Sequence, residues 1–187
     1  KFGKPHQAII PFLDHAQALI MDRGYLRHQR LWRKDLYHQV KSNEALFMDM
    51  IDTDLVVPVH VASQKVEYGA YTIRPKIKKQ YESFRDFRKL AVLNNKKDLN
   101  LKSDAQLDDI DQLVSDMSID HTVKKSSYYK GGYKEASRRF SEFILEKSDL
   151  YPESNDPSLD ATSHMSMYLH FGQISSLELL DRLYLAL

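Results

Sequence analysis

Apolar positions along the chain change their period, and each change suggests an element. HQAIIPF (6–12) and ALIMD (18–22) are short unbroken apolar runs, which read as strands. In DRGYLRHQRLWRKDLYHQV (22–40), Tyr25, Trp32, Leu36 and Val40 recur near helical spacing among arginines and lysines. That pattern predicts a basic amphipathic helix. ALFMDM (45–50) and DLVVPVHVAS (54–63) predict two more strands. The second is β-branched and nearly continuous, as in a strand covered on both faces, with Pro58 marking an edge or a bulge. Strands alternating with a helix predict part of an α/β layer.

The later pattern is helical. KVEYGAYTIRPKIKKQYESFRDFRKL (65–90) predicts mostly helix with a break or kink near Pro75. In 103–120, Ser103 and Gln106 fit a capping box, and Leu107, Ile110, Leu113, Val114 and Met117 make one apolar stripe, so a short connecting helix is expected. TVKKSSYYKGGY (122–133) reads as a loop turning at Gly131–Gly132. KEASRRFSEFILEKSDL (134–150) predicts the clearest helix, with Ala136, Phe140, Phe143, Ile144 and Lys147 on its buried side. Prolines and turn formers in YPESNDPSLDAT (151–162) end it.

Composition narrows the function classes. The 187 residues are 42% hydrophobic and 28% charged, enough for a packed core and too apolar for wholesale disorder. The net charge of +1 gives no global field toward nucleic acid or membrane. Cysteine is absent, which excludes disulfides, thiol nucleophiles and cysteine-held metals and favours a reducing compartment; a cytoplasmic location is the expectation. The chain starts at Lys1 and ends on LYLAL in a helical pattern, which predicts a piece of something longer.

Neither GxGxxG, a P-loop nor a GxSxG elbow is present, and no histidine pair has zincin spacing. Residues 74–102 carry ten Lys or Arg against three acids. These charges contact phosphates or form a solvated helix face and linker; aromatics do not interleave as a stacking platform requires. Trp32, the single tryptophan, reads as a core aromatic. TSHMSMYLHFGQIS (162–175) concentrates hydroxyls around two helix beginnings. Thr162 or Ser163 fits an N-cap for a short helix over 164–171 ending at Gly172, and Ser175 with Glu178 fits a second capping box opening a helix to Leu187. Helix starts with free hydroxyls suit a phosphate; the same hydroxyls also serve as simple caps.

The order of residues adds a resemblance. Tyr151, then NDP (155–157), then TSHMSMYLHFGQIS looks like the flavin-phosphate segment of the photolyase/cryptochrome family, whose pattern runs T-S-x-L-S-P-Y-L-x-x-G-x-I-S. YLHFGQIS resembles the class II cyclobutane pyrimidine dimer photolyases, and so do DRGYLRHQRLWR (22–33), 54–77 and GGYKEASRRFSEFI (131–144), in the right order. There are departures: Met165 stands where Leu is usual, Met167 replaces Pro, His164 takes a slot often held by Asn or Arg, and Ser154 stands where an arginine is often seen.

The resemblance implies an α/β plus α fold. Residues 1–63 would form part of a Rossmann-like antenna domain, 64–130 a linker with helices, and 131–187 the first helices of an all-α FAD-binding domain. It implies that Tyr151, Thr162, Ser163, His164, Met165 and Ser166 line the phosphate and ribitol side of FAD. UV-damaged DNA is the implied partner, and light-driven splitting of pyrimidine dimers the implied reaction. The parts holding the flavin ring, the lesion and any catalytic residue would lie beyond Leu187, so these 187 residues alone are expected to bind FAD weakly or not at all. Two other readings stand beside it: a cryptochrome-like FAD photoreceptor, and a non-flavin α/β–helical binding module.

Overall fold

The first apolar run is helical. In the computed structural model, which describes residues 4–85 and 107–186, Pro5 opens α1 (Pro5–Leu13) near its first position, where a missing N–H costs nothing. Ile9, Ile10 and Leu13 then fall on one side and pack into a core. The strand expected over 6–12 is thereby corrected; so short an apolar run carries no period that separates the two forms.

The expected strand at 18–22 is β1 (Ala18–Asp22). The basic helix is α2 (Arg27–Val40), and 45–50 becomes β2 (Phe47–Ile51). β1 and β2 pair in parallel, with Ala18 opposite Phe47 and Asp22 opposite Ile51, so the three elements form a βαβ unit. Leu19, Leu36, Val40 and Leu46 are buried between sheet and helices with Leu13, and Met21 and Met48 pack against them. Each such fully buried side chain contributes about 1.5–3 kcal/mol. The opposite face of the pair, with Ile20, Phe47 and Ile51, is exposed.

DLVVPVHVAS is not a strand. Pro58 (φ −56°) precedes the single turn α3 (Val59–Ala62), and Val57 and Ala62 are buried with Tyr81. A Pro that cannot donate to a ladder starts a helix without loss. α4 (Ala70–Phe84) begins later than expected and continues through Pro75, so of the expected break or kink there is no break. The carbonyl four residues back belongs to Tyr71, whose side chain is exposed, so the lost bond falls on the wet side of the helix. The part of that expectation beyond 85 lies outside the described residues, as do Ser103 and Gln106.

The chain divides into two compact units. One gathers the described residues up to 85 together with 169–186, and so contains both α4 and α8 (Ser176–Ala186). Leu180 packs on the Val57–Ala62–Tyr81 core, the Tyr81 and Tyr184 rings stack at 5.2 Å, and Arg85 Nε donates to Asp181 Oδ1 at 2.7 Å. Arg85 also lies 5.4 Å over the Tyr184 ring. The other unit holds 107–168. It contains α5 (Ile110–Ser115), α6 (Tyr133–Glu142), a π-helical turn (Phe143–Lys147), a 3₁₀ turn (Ser148–Glu153) and the start of α7 (Ser166–His170). α5 is capped by Asp109, which accepts from Gln112 N–H at 2.9 Å; of its expected stripe Leu113 and Met117 are half-buried, while Leu107, Ile110 and Val114 are exposed.

Tyr81 is 4% exposed and its hydroxyl has no hydrogen-bond partner among the described residues. Burial pushes that phenol's pKa up. Removing an unsatisfied polar atom while keeping the ring relieves a desolvation cost. Urea unfolding of Tyr81→Phe is expected to show unchanged or higher stability, by up to about 1 kcal/mol. Tyr81→Ala is expected to lose about 3–5 kcal/mol.

Candidate functional site

The second unit is assembled on α6. Gly132 enters it at φ 102°, a backbone hand that glycine adopts without strain. Ala136, Phe140 and Phe143 turn inward and are buried, and the two Phe rings stack at 5.9 Å. On the polar side Glu135 receives Arg138 at 2.7 Å and Arg139 at 2.8 Å. Hydrogen bonds from those guanidinium groups hold its pKa down at about 2. Arg139 also lies 4.9 Å over the Tyr129 ring.

Sequence periodicity expects α6 to continue to 150. Instead the turn from Phe143 to Lys147 widens into a π-helical turn. Extra residues of this kind re-aim side chains and recur at functional sites. Here the turn delivers Lys147 to Asp160, Nζ to Oδ2 at 2.5 Å. The other oxygen, Oδ1, meets His164 Nε2 at 2.5 Å. One carboxylate thus ties the helix end to the loop that follows. Hydrogen bonds from Lys147 first, then His164, draw the Asp160 pKa down to about 2.

Between these ties the loop is pinned from below. Ala161 is fully buried and Met165 is 3% exposed. Thr162, Ser163 and His164 arch between them and line a cleft of about 130 Å³ with Arg139, Lys147 and Phe143; Glu142 and Glu146 complete its wall. His164 adopts φ 52°, the left-handed region that few non-glycine residues visit. Such a conformation costs about 1–3 kcal/mol and persists where neighbours over-determine it. It also explains why α7 starts at Ser166: a left-handed residue cannot sit inside a right-handed helix. The expected helix start at 164, and the capping role for Thr162 or Ser163, are corrected on that ground.

The hydroxyls divide into two groups. Ser175 Oγ accepts from Leu177 N–H at 3.2 Å and Ser176 Oγ donates to the Asp54 carbonyl at 3.2 Å, so both are committed. The capping role expected for Ser175 at the head of α8 is present. Ser163 and Ser166, by contrast, have no hydroxyl partner among the described residues. Thr162 has one long contact, 3.4 Å to His164 Nε2. A loop whose backbone is fixed while its hydroxyls stay unspent has donors available for a ligand.

Of the six residues named from the sequence, Thr162, Ser163 and His164 share the cleft wall. Met165 is an anchor in the core and offers only backbone to a ligand. Ser166 is exposed at the start of α7, and Tyr151 is exposed in the 3₁₀ turn with its ring edge-on to Phe143 at 6.0 Å. Lys147 and Arg139 were not among the six; no sequence pattern reveals that a π-helical turn aims Lys147 across 13 residues to Asp160. Trp32 is half-buried, edge-on to His28 at 4.9 Å. Within the basic stretch, Lys76 is held by Glu67 and Arg85 by Asp181, as a structural helix face requires; much of the stretch lies outside the described residues. Among the described residues no group of acids and histidines is arranged to hold a metal ion, and no helix is long and apolar enough to cross a membrane.

Across 96% of this chain the fold matches a bacterial class III photolyase from Agrobacterium tumefaciens (TM-score 0.56, 17% identity, 37% of that chain). The particular likeness is to deoxyribodipyrimidine photo-lyases: 33% identity over 176 residues with that of Methanothermobacter thermautotrophicus, covering 94% of this chain and 38% of the relative. The counterpart from Potorous tridactylus is 29% identical over 161 residues, covering 84% and 29%. These likenesses support the photolyase family for a chain that spans less than two fifths of the relatives' length. No protein-family model matches the chain.

Because the Asp160 pKa is lowered from 3.8 to about 2 on folding, its contribution is present above about pH 4 and is lost as pH falls toward 2. The stability difference between the native chain and Asp160→Asn, from urea titrations at stepped pH, is expected to be constant from about pH 5 to 7 and to shrink toward pH 2. Glu135 titrates in the same window, so the difference between the two proteins, not either curve alone, is the readout.

Proposed function

We propose that this chain is part of a DNA photolyase of the class II kind, a flavoprotein that splits cyclobutane pyrimidine dimers in UV-damaged DNA. In this reading residues 1–63 belong to a Rossmann-like antenna domain, 64–130 to a linker, and 131–187 to the head of the FAD-binding domain, in a cytoplasmic protein. The observation that carries it is the fixed loop at 162–166 with its Ser163 and Ser166 hydroxyls unspent, in a chain similar to a photo-lyase over 94% of its length.

FAD, when bound, supplies light absorption and the electron that opens the dimer. The residues here hold it. Thr162, Ser163 and Ser166 donate hydrogen bonds to its phosphate oxygens. Lys147 and Arg139, also on the cleft wall, are paired with Asp160 and Glu135 and offer a phosphate the N–H groups those pairs leave over. The short α7, five residues long, adds little dipole, so hydroxyls and backbone N–H groups carry the anchoring. Tyr151 flanks the ribitol side, and Met165 keeps the loop seated. The hydroxyls of Thr162 and Ser163 suit a phosphate group, in a cleft too small for a whole dinucleotide and open to the rest of it; Glu142 and Glu146 balance the two cations on its wall, so hydroxyl and backbone donors, not net charge, carry the fit.

In the whole protein, Thr162→Ala with Ser166→Ala is expected to lower bound flavin at least tenfold, read as the flavin-to-protein absorbance ratio after purification. Unchanged flavin content would instead show that these hydroxyls hold no phosphate. The 187 residues alone are expected to titrate FAD weakly or not at all; submicromolar binding with a resolved flavin spectrum would contradict that.

A further inference from the structure

One groove in the first unit is left unused by the flavin reading. It is a groove of about 900 Å³ between the outer face of α2 and the sheet. Met21, Leu31, Met48 and Met50 give it an apolar floor, and Arg27, Arg30, Arg33 and Lys34 give it a cationic wall. Tyr25 and Tyr37 line it as well, both more than two fifths exposed.

The charges are largely unspent. Arg27, Arg30 and Lys34 have no acidic partner among the described residues. Arg33 donates to the Gly24 carbonyl, which leaves its charge uncompensated. Asp49 is the one acid on the wall, and its carboxylate accepts from the Met50 N–H at 2.7 Å. Asp35, the one acid within α2, faces His6 at 3.9 Å. A helix rises 1.5 Å per residue, so Arg27, Arg30 and Lys34, each about one turn from the next, spread positive charge along about 10 Å.

We propose that this groove binds single-stranded nucleic acid, with phosphates on Arg27, Arg30 and Lys34 and unstacked bases against Tyr37 and the methionine floor. A duplex presents phosphates but keeps its bases stacked inside, so it would leave the apolar floor and the tyrosines without use. A single strand uses both, since every base has a face to lay on an aromatic or thioether surface. None of the residues of the 162–166 loop takes part, so the inference stands apart from the flavin reading.

The test is anisotropy of a fluorescein-labelled oligothymidylate titrated with the 187-residue chain over a salt series. The log affinity is expected to fall with log salt at a slope of about −2, about −0.7 for each of three phosphates on a single strand. Arg30→Gln with Lys34→Gln, both on an exposed helix face, should bring the slope near −0.7 and weaken low-salt binding at least tenfold. Tyr37→Ala should weaken binding about tenfold and leave the slope unchanged. Circular dichroism establishes that each variant is folded. Absence of binding, an unchanged slope in the double variant, or an equal loss from Lys78→Gln with Lys79→Gln on α4 would overturn the proposal. A duplex of matched length binding as tightly would overturn the single-strand assignment. Flavin content of the whole protein is expected to be the same in all these variants, which separates this result from the fate of the flavin reading.

Discussion

The second unit depends on a single carboxylate. Asp160 joins Lys147 on one oxygen and His164 on the other, and through them it fixes the end of a helix, a left-handed backbone residue and the hydroxyl loop between. The individual bonds are exposed, and exposed ion pairs contribute little to global stability. Their value is geometric. Without the anchor, nothing on the solvent side holds His164 in a conformation that it adopts at a cost. With it, Thr162 and Ser163 face the cleft. Burial of Ala161 and Met165 on either side supplies the energy that the surface bonds do not.

The first unit is held by a different logic. Its βαβ core is local in sequence, and the buried positions of α2 and β1 do the work. Its second core is closed by a helix from the far end of the chain. α8 brings Leu180, Asp181 and Tyr184 onto α3 and α4, with an ion pair, a ring stack and a cation over a ring at one place. Aromatic stacking and cation–π contacts add to area burial, so this is a stronger clasp than the ion pair alone.

How much was legible in the sequence varies with the physics of each segment. α2, β1 and β2 could be read because their periods are clean and their cores local. HQAIIPF and DLVVPVHVAS could not, because a short apolar run looks alike as strand or helix, and the prolines that decide the matter act at helix entries. The stripe of α5 obeys a helical period yet leaves Leu107, Ile110 and Val114 exposed, since periodicity records what can pack and not what does. At the loop, the hydroxyls were visible as letters. Their being uncommitted was not, because that depends on His164 turning left-handed and on a π-helical turn upstream, both set by contacts 4 and 13 residues apart.

The backbone hand at residue 164 also narrows what evolution can place there. Asparagine, aspartate and glycine share histidine's tolerance for it, whereas valine, isoleucine and threonine bring a branched carbon against the preceding carbonyl. A replacement there meets two demands at once, the left-handed backbone and a donor that reaches Asp160, and histidine meets both.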